Sequence, residues 1–241
     1  MKIQFILSLL LFSSVQAGAN YLTDTLFWSG TIDIYENFYI DEQTTLVIDP
    51  GTIITAHNRS KIRSNGNVFA NGLFDNKIIF TAADTVGLYD TAAPYGGWNG
   101  FHLLNNPNGE AVFNNCVFEY GKANVPGSWH TWQYGTDTIS ANRGGVMRAV
   151  NYGSIEIDSC SFLFNFARTR GGGLYCDNLS HITISNCLFQ NNKTLAFGGA
   201  VYSNDNDSVY ITNNVFIHNS AFSSYNNPEF PFIHYNGDGS A

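Results

Sequence analysis

Two groups of side chains in this 241-residue chain have the types and spacing to hold a sugar. Residues 122–142, KANVPGSWHTWQYGTDTISAN, crowd together Trp129, His130, Trp132 and Tyr134. A second group is basic and aromatic: Arg148, Arg168, Arg170, Tyr175, Lys193 and Tyr202. Flat rings stack on the apolar faces of pyranoses, and guanidinium groups pair with carboxylates through two parallel hydrogen bonds. Of the 11 Lys and Arg residues, six (Lys122, Arg143, Arg148, Arg168, Arg170 and Lys193) fall in this stretch. The combination suits an acidic glycan or a surface partner. The plainer alternative is a loop that folds its tryptophans back to shield the protein.

Catalytic sets are harder to find. Polysaccharide cleavage needs placed acids and bases, often with Ca²⁺ to neutralise a carboxylate. No Gly-x-Asp-Asp and no Gly-His-Gly occurs, and Arg59-Ser60-Lys61 has no Asp pair to meet it. His181 stands ahead of a strand and reads as a turn residue. Asn204-Asp205-Asn206-Asp207 offers oxygens to Ca²⁺ but lacks the other positions of a calcium loop, and reads as a solvated turn. No Cys pair has zinc-site spacing. No metal and no cofactor is expected, with Ca²⁺ the one ion for which any ligands exist.

What positions these residues is a repeat. SFLFNFARTRGGGLYC (161–176) and LFQNNKTLAFGGAVYS (188–203) align at an offset of 27. The same shift gives a column of Phe162, Phe189 and Phe216, one of Asn165, Asn192 and Asn219, and one of Gly145, Gly172 and Gly199. AVFNNCVFEYG adds Phe118 to the Phe column and places Cys116 with Cys160 and Cys187. A fixed period of this size marks stacked coils. Within each unit the apolar residues alternate, as in Ile155-Glu-Ile157, Phe162-Leu-Phe164 and Leu174-Tyr-Cys176, which predicts strands and no helices. At roughly 3.3 Å per residue a coil traces roughly 90 Å, the perimeter of a three-sided turn. The predicted fold is all-β: a single-stranded right-handed parallel β-helix with about 27 residues per coil. Stacked Phe fills the interior, Asn ends a strand at a corner, and the Gly pairs allow positive φ or tight approach. Neighbours in the Cys column lie farther apart than a disulfide prefers, so the thiols are expected reduced and stacked. Two excursions interrupt the rhythm, one at 84–97 and one of 17 residues within 122–142. On this plan the third strand sends Arg148, Tyr175 and Tyr202 outward.

Lys2, the apolar run IQFILSLLLF and the small residues Ala17-Gly18-Ala19 have the layout of a secretory signal peptide over 1–19, with the β-helix domain over 20–241. No later segment is apolar and long enough to span a bilayer. The formal charge of −8 argues against a nucleic-acid partner. With 23 Gly and only 12% charged residues, the composition suits a turn-rich exported β protein.

The Phe-x-x-Asn motifs FLFN, FQNN and FIHN alternate with GGVM, GGGL and GGAV. This pattern resembles the FxxN and GGA[ILV] repeats of chlamydial polymorphic membrane proteins and of wider bacterial parallel β-helix surface proteins. FEYG departs from it, with Gly121 in place of Asn. TLVIDPGTIIT, GNVFANGLFDNKIIFTAAD and GGWNGFHLL resemble the first coils of secreted pectin-lyase-like proteins. The resemblance implies a secreted or cell-surface protein, adhesin-like or carbohydrate-binding and non-catalytic, whose partner is a polysaccharide or a surface glycan or protein. A polysaccharide lyase or hydrolase for acidic glycans, with Arg168 or Arg170 as the basic group, is the alternative. A purely structural stalk is the third reading.

Overall fold

The computed structural model describes residues 24–125 and 142–222, together with the backbone of the strand Ile233–Asn236. The signal-peptide reading and Trp129, His130, Trp132 and Tyr134 lie outside the described residues.

The chain is a right-handed parallel β-helix with three sheets of eleven, seven and four strands, and its strands pair in parallel throughout the described residues. One coil shows the plan. Ser161–Leu163 forms one side, Phe166–Ala167 a short second side, and Leu174–Ser185 a long third side. Phe162 pairs with Phe189, and Phe189 with Phe216, at the expected offset of 27 residues. Phe80, Phe118, Phe162, Phe189 and Phe216 stack with ring centroids 4.7–5.0 Å apart and planes within 18°. Centroids track the strand spacing because each ring hangs from an equivalent backbone position. The column begins one coil earlier than the repeat motif, at Phe80. The first coils are also tighter, with Thr25 paired to Thr45 and Thr45 to Asn67.

The Asn column works as a saturated polar spine. Asn192 is fully buried, and its Nδ2 donates to the carbonyl of Phe162 and to Oδ1 of Asn219. Its Oδ1 accepts from the backbone N–H and Nδ2 of Asn165. Every hydrogen-bonding valence of the side chain is used, which is the condition for burying an amide at no cost. The spine ends where Asn gives way to Gly121. A Cβ there would collide with the Gly145 carbonyl and with Val146, so no side chain fits. Cys116, Cys160 and Cys187 form a similar row, while Cys176 sits on the long sheet between Ala149 and Ser203. All four are free and buried, and the N–H groups of Cys116 and Cys160 point at the sulfurs of Cys160 and Cys187. Asn214 closes that row, its Oδ1 accepting from the N–H of Cys187.

Two strand readings need correction. The stretches 155–157 and 174–176 fall on one sheet, and the remaining side is a two-residue strand, Phe166–Ala167, too short to show alternation. Phe164 does not follow Phe162 inward. Its φ is +55°, so the strand ends at Leu163 and the ring turns out. Left-handed residues recur at each corner: Asn115, Ser159, Asn186 and Asn213 at one, Asn105, Asn151, Asn178 and Asp205 at another, Tyr120, Phe164, Asn191 and His218 at a third. At the Gly corner the work is divided. Gly144, Gly171 and Gly198 carry the positive φ, while Gly145 and Gly172 are bare because a Cβ would strike the carbonyl of the next coil.

Replacing Asn192 with Ala removes a donor from the Phe162 carbonyl and the acceptor of both the N–H and one Nδ2 hydrogen of Asn165, and is expected to cost at least about 3 kcal/mol in denaturant unfolding. Glu156→Ala, on the solvent face of the same coil, should stay within about 0.5 kcal/mol.

Candidate functional site

The basic and aromatic residues singled out by the sequence are largely covered. Arg148, Arg168, Tyr175 and Tyr202 are each at most 3% exposed. Arg148, Tyr175 and Tyr202 point away from the core column, since their neighbours Met147, Leu174, Cys176 and Val201 line it, yet other side chains lie over them. Tyr175 and Tyr202 stack at 5.5 Å. Arg143 lies over the first ring and donates to its hydroxyl at 2.7 Å, and Arg170 lies over the second at 5.0 Å. The Tyr175 hydroxyl in turn donates to Asp177. This is a cation–π ladder that seals the outer face of the sheet. Arg168 donates to the Thr91 carbonyl and to Asn124 Oδ1. These guanidinium groups are engaged inside the protein, so the structure does not bring them together as an open face for carboxylates.

Arg148 belongs to a further buried pair. Its Nη2 stands 3.3 Å from Nδ1 of His102, whose Nε2 lies 2.7 Å from the carbonyl of Asn99. The carbonyl requires a proton on Nε2, leaving Nδ1 as acceptor for the guanidinium. The ring is therefore neutral. Burial, then the charges of Arg148 and Lys61, hold its pKa well below the ordinary value.

The excursion at 84–97 is held down by the cations Lys122 and Arg59. Lys122 is fully buried, and its ammonium donates to the carbonyls of Gly87, Ala93 and Tyr95 at 2.7, 3.1 and 2.8 Å. Three protons meet three acceptors from a single loop. Burial, then the nearby charge of Arg59, lowers its pKa to about 8. Arg59 donates to Pro94, Asn124 and Lys122 carbonyls and to Asn99 Oδ1. The Arg-x-Lys letters at 59–61 are thus a clamp, with Arg59 turned into the protein. The loop neck of the second excursion is closed by the Val125 N–H on Asn142 Oδ1.

What the clamped loop builds is a shallow cleft of about 450 Å³, lined by Thr85, Gly87, Leu88, Tyr89, Asp90, Tyr120 and Phe164. Tyr120 and Phe164 stack as its floor, with centroids 5.8 Å apart and planes at 18°. Tyr89 forms a wall. Its hydroxyl donates to the Asn191 carbonyl, its ring meets Phe166 edge-on, and the Lys193 ammonium sits 4.2 Å from its centroid. Burial, then Tyr120 beside it, pushes the Tyr89 phenol up to about 12, so it stays a donor. Asp90 is the one charged residue of the lining among the described residues. Of the described residues singled out in the sequence, Lys193 alone reaches this place. Alternation in the sequence hides it, since Phe164 continues the pattern of Phe162 although the strand has already ended at Leu163.

The remaining candidates take structural roles. His181 lies within the strand Leu174–Ser185 rather than in a turn, bonded to Thr183 and tilted over Tyr210. Asn206 is buried, its Oδ1 accepting from the Leu179 N–H and its Nδ2 donating to Ser203. Among the described residues no group of three His, Cys, Asp or Glu is placed to hold a metal, and no helix is long and apolar enough to cross a membrane.

Fold and site together define the chain as a right-handed parallel β-helix with an aromatic corner cleft. No protein-family model, no curated protein and no solved structure matches it.

Neutral His102 sets an acid limit. The unfolded chain binds a proton that the folded ring refuses, so stability is complete above about pH 6.5 and falls below it by up to about 1.4 kcal/mol per pH unit. Denaturant unfolding across that range should show the slope in the native protein and a flatter one in His102→Gln. Lys122→Met removes the donor shared by three loop carbonyls, of which Gly87 keeps the Asp90 N–H; amide exchange over 84–97 is expected to accelerate at least tenfold while the Asn-spine coils stay protected.

Proposed function

We propose that this is a secreted or surface-displayed, non-catalytic carbohydrate-binding β-helix, and that the ligand seats on Tyr120 and Phe164. The observation that carries the reading is backbone strain. Tyr120 and Phe164 hold φ of +57° and +55°, a region that large side chains avoid. The next coil answers the same geometric demand with Asn191. A bulky aromatic in such a position costs of order 1–3 kcal/mol, and such outliers gather at functional sites. Here two successive coils carry one, the rings are stacked and Phe164 is 37% exposed. Parallel exposed rings above a polar rim are the surface on which a pyranose lays its C–H face.

The chemistry of the lining revises the ligand class. The guanidinium groups of Arg148 and Arg168 are committed internally, and at the cleft the Asp90 carboxylate is offset by the Lys193 ammonium held against the Tyr89 ring. A neutral glycan fits this surface better than a polyuronate. The lyase reading needs Arg168 or Arg170 beside a sugar, whereas Arg168 holds the loop and Arg170 covers Tyr202. The FxxN and GGA repeats and the signal-like leader support export and display.

Phe164→Asn separates binding from architecture. It relieves the left-handed strain, so the melting temperature should hold or rise. Retention on neutral polysaccharide in affinity electrophoresis should drop at least tenfold. A Phe164 that served packing alone would give the reverse: lower melting temperature and unchanged retention.

A further inference from the structure

The cleft stands on one corner of the solenoid, and that corner carries a second aromatic platform. Strand register runs from Ile34 to Ala56 to Ala82 and on to the level of Tyr120, then Phe164. Tyr35 and His57 follow Ile34 and Ala56 by one residue, so they lie on the same edge, toward the amino-terminal end. Their rings stack at 4.2 Å with planes at 16°. Tyr35 is 58% exposed, and Asp33 fixes the imidazole through a 2.8 Å bond to Nε2. The coil between the platforms presents Ala83, small and exposed, level with His57, while Tyr120 is level with the residue before it, Ala82. Beyond it the chain lifts away into the loop that walls the cleft.

Two coil spacings separate His57 from Tyr120, roughly 10 Å, close to the repeat of a disaccharide. Each platform has one exposed ring, Tyr35 in the first and Phe164 in the second, stacked on a half-buried partner, His57 or Tyr120, and Ala83 on the coil between them carries only a methyl group. We propose that Tyr35 and His57 form a second subsite, and that an extended neutral glycan lies along this corner parallel to the solenoid axis, contacting both platforms. The inference rests on the cleft reading and extends it. A rigid scaffold with two weak platforms at fixed spacing binds long chains far better than short ones, because the second contact is made at high effective concentration.

The test is chain-length dependence. Neutral cello-, xylo- and manno-oligosaccharides, from disaccharides to octasaccharides, are titrated calorimetrically into the whole protein. Affinity should rise at least tenfold between disaccharide and tetrasaccharide. Tyr35→Ala should abolish that rise, whereas Tyr120→Ala should weaken every length. His57→Ala, which removes the stacked ring and keeps Tyr35, should give an intermediate loss; melting temperatures report whether each variant is folded. If the wild-type protein binds disaccharide and tetrasaccharide equally, or Tyr35→Ala retains the rise, the second subsite is refuted and the cleft stands. If no oligosaccharide binds the wild-type protein, the cleft reading and the subsite fall together.

Discussion

The structure depends on register between successive parallel strands. Once Phe162 is opposite Phe189, every outward and inward position of the two coils is matched, because side chains alternate with a period of two. A slip of one residue would turn the Phe column to solvent and bring Leu163 and Gln190 inside. The buried amide spine resists this. Asn165, Asn192 and Asn219 bond side chain to side chain only when the coils are level. Hydrophobic stacking drives burial without direction, and the amides supply the direction.

Such a frame fixes where variation is permitted. Inward columns keep their residue types over many coils, while corners tolerate any residue that reaches positive φ and any loop that leaves and returns at the same point. The two excursions obey this rule. The one at 84–97 leaves after a strand of the seven-stranded sheet and is drawn back by Lys122 and Arg59, which meet its carbonyls with buried cations rather than with carboxylate pairs. Backbone dipoles thus solvate charge that water cannot reach. The aromatic cleft is a by-product of that arrangement: a corner with two left-handed aromatics, walled by a loop that cannot move freely.

Architecture was legible in the sequence because it is periodic. The Phe, Asn, Gly and Cys columns, the reduced thiols and both excursions follow from one offset of 27 residues. The shorter amino-terminal coils were less legible, since Phe80 joins the aromatic column without the accompanying Asn. The site was largely hidden for a different reason. Whether Arg148, Arg168, Tyr175 and Tyr202 face water depends on Arg143, Arg170, Asn124 and the 84–97 loop, none of which has a periodic signature. Lys122 reads as a surface cation by type and is fully buried in fact. Phe164 reads as core by alternation, and its left-handed φ puts it outside. Local pattern locates the strands; what covers them is set by segments distant in sequence.

The amide spine has a consequence for how the protein is made. Asn192-Lys193-Thr194 spells an acceptor for asparagine-linked glycosylation. Both hydrogens of the Asn192 amide are already bonded, and no part of the residue reaches the surface. An oligosaccharide attached to that nitrogen would remove a bond of the spine and force a bulky chain into the interior. Any export route that decorates this residue ahead of folding is therefore closed to the β-helix, whereas a chain that folds first is protected by its own architecture.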